Sequence, residues 1–191
     1  MTALQKLAVD TSRYLELLNE IGSCNRWELM FIVDYWAVLF HRLQEVAMEM
    51  PFGIRHVLKI GIWCLKPFIE GLTGSRIREG ASIGAGFVVF NSFGVLISST
   101  TVVGQNCTVY SGVFIAHKAN NKSSGVPVIG NNVVLMSGCK VLGGVNVGDY
   151  AMIGANSVVL TDVPTATIAT GVPSKIFRQI KRVRESENVH N

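Results

Sequence analysis

Aliphatic residues recur at every sixth position over much of this chain, and this repeat constrains the fold more than any other feature. Neither an α-helix, with 3.6 residues per turn, nor a strand, with period two, keeps a six-residue repeat on one face. A triangular solenoid of short strands does, because three hexapeptides complete one turn and each aliphatic residue stacks on the turn below. The positions that share the register are Ile77, Ile83, Val89, Ile97, Val103, Val109, Ile115, Ile129, Leu135, Val141, Val147, Ile153 and Val159.

The register of this repeat is interrupted at two places. Val89 and Ile97 lie eight residues apart instead of six, and Ile115 and Ile129 lie fourteen apart. The second gap contains a polar run, residues 117–125. Because insertions leave a solenoid as surface loops, often on its binding face, both gaps are candidate functional places. Harmless surface bulges are the alternative interpretation.

The composition changes along the chain and predicts three parts. Residues 1–74 are rich in Leu, Trp, Met and Phe and predict an α-helical N-terminal domain, with helices near 4–21, 25–50 and 53–71. Residues 75–174 carry the repeat. Residues 175–191 hold five Lys or Arg residues and two Glu residues, with apolar residues at helical spacing, and predict a basic C-terminal helix or a solvated tail.

The predicted N-terminal helices are more apolar than those of an ordinary surface domain. In the third helix, Arg55, Lys59 and Lys66 stand beside Ile60 and Trp63. Helices that are apolar on several sides are usually buried against partners, here an oligomer or a packed subdomain. A basic, aromatic face resting on a membrane is the alternative.

Composition and charge exclude several classes of protein. The chain has 49% hydrophobic and only 16% charged residues, which excludes a disordered chain. Its net charge of +4 forms no basic stripe with interleaved aromatic residues in the repeat, which disfavours nucleic-acid binding. The four cysteines form no CxxC motif, so we expect neither a disulfide framework nor a metal site. Reduced thiols and the lack of an opening apolar signal predict a cytoplasmic location, with the inner face of the membrane as an option.

The repeat resembles the hexapeptide-repeat acyltransferases, and its serine-acetyltransferase-like branch, which includes sugar and polysaccharide O-acetyltransferases, is the most similar. The resemblance covers roughly residues 75–178. It implies a mainly β fold, a left-handed parallel β-helix, behind the N-terminal helices. The segments that carry it are Ala81–Gly86, Gly94–Ile97, Val109–Val113, Ile153–Val159 and Gly171–Lys175.

The resemblance also implies a reaction and an assembly. Such enzymes transfer an acetyl group from acetyl-CoA to a hydroxyl or amine, so the protein must deprotonate the acceptor and stabilise the oxyanion. They are typically homotrimers with the active site between neighbouring solenoids. A dimer of trimers through the N-terminal helices is the larger assembly that we consider.

The sequence departs from the family pattern at the catalytic positions. Where the serine acetyltransferases have an Asp-His pair, this chain has Phe90 and Asn91, and where they have a second histidine it has Val126. The Asn91 amide does not take up a proton near neutral pH. His117, which opens the polar run, is therefore the candidate base beside Asn91, although an exposed loop histidine is the alternative. Because the groups that hold serine's charged ends are also missing, we expect a saccharide or polysaccharide-precursor acceptor. Serine O-acetylation, or a catalytically silent binding protein, is the alternative.

Coenzyme A contacts are assigned by the same resemblance. Ser137, Ala155 and Thr161 match residues that line the groove for the pantetheine arm. Lys175 and Arg178 match basic residues that meet the phosphates, a role that suits their charge.

Overall fold

The structure, a computed structural model, describes residues 1–22, 25, 28–117 and 125–179. Its helical part comprises α1 (Ala3–Ile21), a short 3₁₀ helix (Glu28–Phe31), α2 (Val33–Glu49) and α3 (Phe52–Thr73). A capping box between Thr2 and Gln5 begins α1. Gly74 ends α3 with φ of 63°, a left-handed conformation that glycine adopts at little cost.

The prediction of one continuous second helix from about residue 25 was wrong at its start. A 3₁₀ turn comes first, and α2 begins only at Val33. Asp34 lies in the first turn of α2, where a negative charge is favoured by the helix dipole.

Short strands follow α3 and are mostly two or three residues long. They are β1 (Arg76–Ile77), β2 (Ser82–Ile83), β3 (Val88–Phe90), β4 (Leu96–Ile97), β5 (Val102–Val103), β6 (Thr108–Tyr110), β7 (Phe114–Ala116), β8 (Val128–Ile129), β9 (Val134–Leu135), β10 (Lys140–Leu142), β11 (Asn146–Val147), β12 (Met152–Ile153), β13 (Val158–Val159), β14 (Thr167–Thr170) and β15 (Lys175–Gln179).

The strands form the three faces of a prism. Sheet I contains β1, β4, β7, β10 and β13, sheet II contains β2, β5, β8 and β11, and sheet III contains β3, β6, β9, β12, β14 and β15. Every pairing is parallel except that of β14 with β15. This confirms the predicted parallel β-helix behind N-terminal helices. Its left-handedness stays an inference from the resemblance.

The strand registers show where extra residues enter the coils. Arg76 pairs with Leu96 twenty residues later, and Leu96 pairs with Phe114 eighteen residues later. Phe114 pairs with Lys140 twenty-six residues later, and Lys140 pairs with Val158 after another eighteen. A regular coil therefore has eighteen residues, and the excess of two and of eight residues corresponds to the two gaps in the repeat.

The repeat positions form the core of the prism, as predicted. All thirteen aliphatic residues of the register are buried. Cys107 and Cys139 are also fully buried among them, which confirms that they serve as small apolar core residues. Tyr14 and Tyr35 from the helices belong to the same core cluster, so helices and coils pack as one body.

The first two helices cover the open end of the prism and bind its exposed backbone. The Tyr14 hydroxyl exchanges hydrogen bonds with both the N–H and the C=O of Val89 at 2.7 Å. The Arg42 guanidinium donates to the carbonyls of Ile83 at 2.9 Å and Gly84 at 2.6 Å. Parallel sheets expose unpaired groups at their last strand, and these side chains satisfy some of them.

The C-terminal segment corrects one expectation. Residues 175–179, expected as the start of a basic helix or tail, form β15, which pairs antiparallel with β14. The edge of β14 offers unpaired backbone groups that a returning strand satisfies and a helix does not. The rest of the predicted segment, residues 180–191, lies outside the described residues. Among those that are described, no helix is long and apolar enough to cross a membrane.

Candidate active site

Two long edges of the prism carry the candidate site residues. At the III–I edge the chain turns from a strand of sheet III into a strand of sheet I, and at the I–II edge it turns from sheet I into sheet II. Asn91, Ser137 and Ala155 lie on the III–I edge, since they follow β3, β9 and β12. His117 and Thr161 lie on the I–II edge, since they follow β7 and β13.

The III–I edge is lined by small residues that leave the backbone accessible. Ser111 and Gly112 stack on Ser137 and Gly138, and the Ser111 Oγ donates to the Ser137 Oγ at 3.3 Å. Gly112 has φ of 67°, a left-handed conformation that favours glycine, and a Cβ placed on it would be in van der Waals contact with the Gly138 Cα at 3.4 Å. Such an edge lets an extended ligand approach the backbone closely.

This edge has chemically different ends. Asn91 lies at the end next to the helices, and the turn before Lys175 lies at the other end, where the Ser174 N–H donates to the Val158 carbonyl at 2.8 Å. Four coil steps of about 4.8 Å separate the two ends, so the edge is roughly 19 Å long. Lys175 and Arg178 are both exposed on β15 and form no ion pair within the part of the chain that the structure describes. An elongated anionic ligand therefore finds a pair of cationic side chains at this end of the edge.

The Asn91 end is held by a side chain from the helical part. The Asp34 carboxylate accepts hydrogen bonds from the backbone N–H of Asn91 at 2.8 Å and of Ser92 at 2.6 Å. Asn91 has φ of 52°, a left-handed conformation that asparagine tolerates better than most residues. The exposed Asn91 side chain can donate and accept hydrogen bonds but cannot take up a proton.

His117 does not approach Asn91 within one chain, because the two residues lie on different edges. It is exposed and directly precedes residues 118–124, the polar run of the second gap, which lie outside the described residues. The chain returns at Gly125, whose added Cβ would meet the Gly144 Cα at 2.9 Å. A site that uses both candidate catalytic residues therefore needs two copies of the chain.

The described cysteines of the repeat are not candidate nucleophiles. Burial raises the pKa of Cys107 to about 11 and that of Cys139 to about 12, so both remain protonated thiols near neutral pH. No cluster of three His, Cys, Asp or Glu side chains suited to a metal ion occurs within residues 1–22, 25, 28–117 and 125–179.

Asp34 was not among the residues predicted from the sequence. Its only local signal is an acidic residue in the first turn of a helix, which is common and does not indicate a contact with a residue 57 positions away. The repeat pattern predicts the coils but not which helical side chain reaches them.

Comparison with known proteins identifies the family. Residues 127–161 match the bacterial transferase hexapeptide (six repeats) family. The serine acetyltransferase of Helicobacter pylori strain J99 is 36% identical over 170 residues, which cover 87% of this chain and 96% of that protein. The chain belongs to the serine acetyltransferase family. It is therefore an acyltransferase of the hexapeptide-repeat type, as expected. The relationship favours the serine acetyltransferases over the sugar and polysaccharide O-acetyltransferases, so the expected saccharide acceptor gains no support.

Other members of the family are longer. The serine acetyltransferase of Synechococcus elongatus is 39% identical over 106 residues, which cover 56% of this chain and 43% of that protein. A Brucella abortus serine acetyltransferase solved in complex with coenzyme A superimposes with a TM-score of 0.79 at 23% identity, covering 93% of this chain and 68% of that one. The likeness to the Brucella abortus structure shows that the two chains share a fold.

Proposed function

We propose that this protein transfers the acetyl group of acetyl-CoA to a hydroxyl oxygen, with free serine as the acceptor. The observation that carries the proposal is the similarity to the Helicobacter pylori serine acetyltransferase over nearly that protein's whole length. The III–I edge supports it, because its small residues end in a pair of cationic side chains.

The site is proposed to form in a homotrimer, between the III–I edge of one copy and the I–II edge of the next. This arrangement joins Asn91 of one copy with His117 of its neighbour, and Ser137 and Ala155 of one with Thr161 of the other. The pantetheine arm lies along the small residues, and Lys175 and Arg178 bind the phosphates.

The chemistry follows from these positions. His117 takes the proton of the acceptor hydroxyl as its oxygen attacks the thioester carbonyl. Asn91 donates a hydrogen bond to the oxyanion of the tetrahedral intermediate. The carbon–sulfur bond then breaks, and the coenzyme A thiolate leaves with a proton returned by the base.

The test is release of free thiol from acetyl-CoA by the full chain in the presence of L-serine, with mass spectrometry of the acetylated product. His117→Ala is expected to reduce kcat by about 10²-fold or more, which is the usual contribution of a general base. His56→Ala is the matched control, because His56 is an exposed histidine on α3. Equal rates for the His117 variant and the wild type would remove His117 as the base.

A second candidate function rests on the departures at Asn91 and Val126, where the family resemblance places histidines. A chain without a competent base would bind coenzyme A and turn over nothing. Coenzyme A binding in calorimetry, combined with no thiol release from serine, would favour this candidate and contradict the enzyme.

A further inference from the structure

Two residues of α2 hold the buried side-chain polar atoms that lack a hydrogen-bond partner within the part of the chain that the structure describes. These atoms are both ring nitrogens of His41 and the Oε1 of Gln44. The two residues are only 2% and 5% exposed. A buried polar atom without a partner costs free energy, so such atoms mark a place where a ligand or an ordered water is missing its contacts.

Both residues line the same cavity, which has a volume of about 270 Å³ and lies between α1, α2 and the turn before β2. His41 and Gln44 stand three positions apart on α2, so their side chains are neighbours on one face of the helix. Met48 and Ala81 add apolar surface to the wall. A few polar groups set in an apolar wall are the usual composition of a small-molecule site.

Carboxylates outnumber cations in the wall of this cavity. Glu45 pairs with Lys6 at 3.1 Å, and Glu79 has a cationic partner on α3 at 3.2 Å. Glu49 accepts a backbone hydrogen bond at 3.0 Å but forms no ion pair among the described residues. The charged residues that line the cavity are Lys6, Glu45, Glu49 and Glu79. The wall therefore attracts a cation and repels an anion.

The unpaired atoms of the cavity are acceptors. Burial lowers the pKa of His41 to about 4, so near neutral pH its ring has one N–H and one acceptor nitrogen. The His41 Nε2 lies 3.7 Å from a Glu45 carboxylate oxygen, which favours the N–H on Nε2 and leaves Nδ1 as the acceptor. The Gln44 Oε1 is the second acceptor. A ligand that suits both must bring at least two donors.

We propose that this cavity binds a small organic ammonium ion, a primary amine that carries a short apolar chain. Its head group supplies three donors and a positive charge, of which two donors reach His41 Nδ1 and Gln44 Oε1. The charge is compensated by Glu49, and the apolar chain lies against Met48 and Ala81. No residue assigned to acetyl transfer lines this cavity, so the site and the proposed enzyme activity are tested separately.

Calorimetric titration of the full chain at pH 7 with n-butylamine, n-butanol and butyrate tests the charge of the ligand, because the three probes are similar in size. Butylamine is expected to bind about tenfold or more tightly than butanol, since a charged donor forms the stronger hydrogen bond. Butyrate is expected to bind least. Methylamine is expected to bind more weakly than butylamine, by about fourfold for each methylene removed from the chain.

Substitutions test the two acceptors and the carboxylate. His41→Leu and Gln44→Leu each remove one acceptor and are expected to raise the dissociation constant of butylamine by about tenfold or more. Glu49→Gln removes the uncompensated charge and is expected to weaken butylamine while leaving butanol unchanged. The matched controls are His56→Leu and Gln105→Leu, which replace exposed residues of the same types outside this cavity and should keep the wild-type affinity.

Contact with the ligand is read from the ¹⁵N resonances of the histidine rings. The His41 Nδ1 signal, identified by its loss in His41→Leu, is expected to shift when butylamine is added. Equal affinities for butylamine and butanol, or for the wild type and Gln44→Leu, would overturn the proposal. So would no binding of butylamine up to about 10 mM, because the cavity would then hold water only or be closed by a second copy. Circular dichroism establishes that each variant is folded, and Gln44→Leu decides the matter if His41→Leu is not.

Discussion

The Asp34 carboxylate binds the backbone N–H of Asn91 at 2.8 Å, although 57 residues separate the two in the sequence. The contact joins the first turn of α2 to the corner where the first coil carries its two extra residues. The position that the resemblance marks as catalytic is thus held by the helical part as well as by the coils. The helices therefore do more than cover the end of the prism.

Replacing Asp34 with alanine is expected to loosen the Asn91 corner. Two hydrogen bonds to a charged acceptor are lost, at 2.8 and 2.6 Å, and each contributes about 1.5–3 kcal/mol. We expect the free energy of unfolding in urea to fall by about 2 kcal/mol or more. If the corner positions the acceptor, kcat falls by a large factor, and the KM for acetyl-CoA changes by a smaller factor.

Asp149→Ala is the matched control for Asp34. The Asp149 carboxylate accepts a backbone hydrogen bond from Asn131 at 2.7 Å, on the edge between sheets II and III, far from Asn91. The Asp149→Ala variant is expected to have a lower free energy of unfolding and an unchanged kcat. A loss of kcat of the same size in both variants would mean that Asp34 acts only on stability.

The parts of this fold that repeat could be predicted, and the contacts that occur once could not. The six-residue register identifies the core positions because each coil repeats the same packing, and its two gaps identify the coils with extra residues. The Asp34 contact depends on the angle at which α2 meets the first coil, which no local pattern encodes. The segment that contains β15 was expected as a helix or tail because Ile176, Phe177, Ile180 and Val183 have helical spacing, and the open edge of β14, which favours a strand, is not visible in that spacing.

His41 is expected to make stability depend on pH in a defined range. Burial lowers the pKa of His41 to about 4, with Arg42 and Lys6 adding to the effect and Glu45 opposing it. Both ring nitrogens are buried without a hydrogen-bond partner. Between pH 6.5 and about 4 the His41 imidazole takes up a proton in the unfolded chain but stays neutral in the folded chain. The free energy of unfolding therefore decreases as the pH falls, by up to about 3 kcal/mol.

The measurement is urea unfolding at a series of pH values for the wild type, His41→Leu and His56→Leu. Carboxylates titrate in all three proteins, so the difference between them isolates the histidine. We expect His41→Leu to flatten the curve between pH 6.5 and 4 and the exposed His56→Leu to follow the wild type. Parallel curves for the wild type and His41→Leu would contradict a buried neutral imidazole.

The cationic end of the III–I edge is expected to set the affinity for the phosphates of coenzyme A. Lys175→Gln and Arg178→Gln each remove one charge from β15 while keeping a polar side chain of similar length. The loss of a charge-assisted contact of about 1.5–3 kcal/mol predicts a rise in the dissociation constant of about 10- to 100-fold. Calorimetric titration with coenzyme A measures it.

Arg76→Gln is the control for the two phosphate variants. Arg76 is an exposed arginine on the first coil, and it pairs with Glu70 of α3. The affinity of the wild type for coenzyme A should fall as the salt concentration rises, and the affinity of the Lys175 and Arg178 variants should depend less on salt. Unchanged affinity in both variants would place the phosphates elsewhere.

The buried pair of Arg42 and Asp10 predicts an asymmetric pair of variants. Both side chains are fully buried, with the Arg42 Nε 2.7 Å from an Asp10 carboxylate oxygen. Arg42→Met leaves the Asp10 carboxylate without its cation and is expected to cost about 3–5 kcal/mol in urea unfolding. Adding Asp10→Leu removes the unpaired buried carboxylate, so the double variant should be more stable than Arg42→Met by at least about 1 kcal/mol.

The control for this ion pair is Lys6→Met, which breaks the more exposed contact between Lys6 and Glu45 at 3.1 Å and should cost less than about 1 kcal/mol. Arg42 also donates to two backbone carbonyls of the first coil, so the double variant is not expected to regain full wild-type stability. A double variant that is less stable than Arg42→Met would show that the Asp10 bond to the Phe87 N–H, at 2.9 Å, stabilises the coil more than the unpaired charge destabilises it.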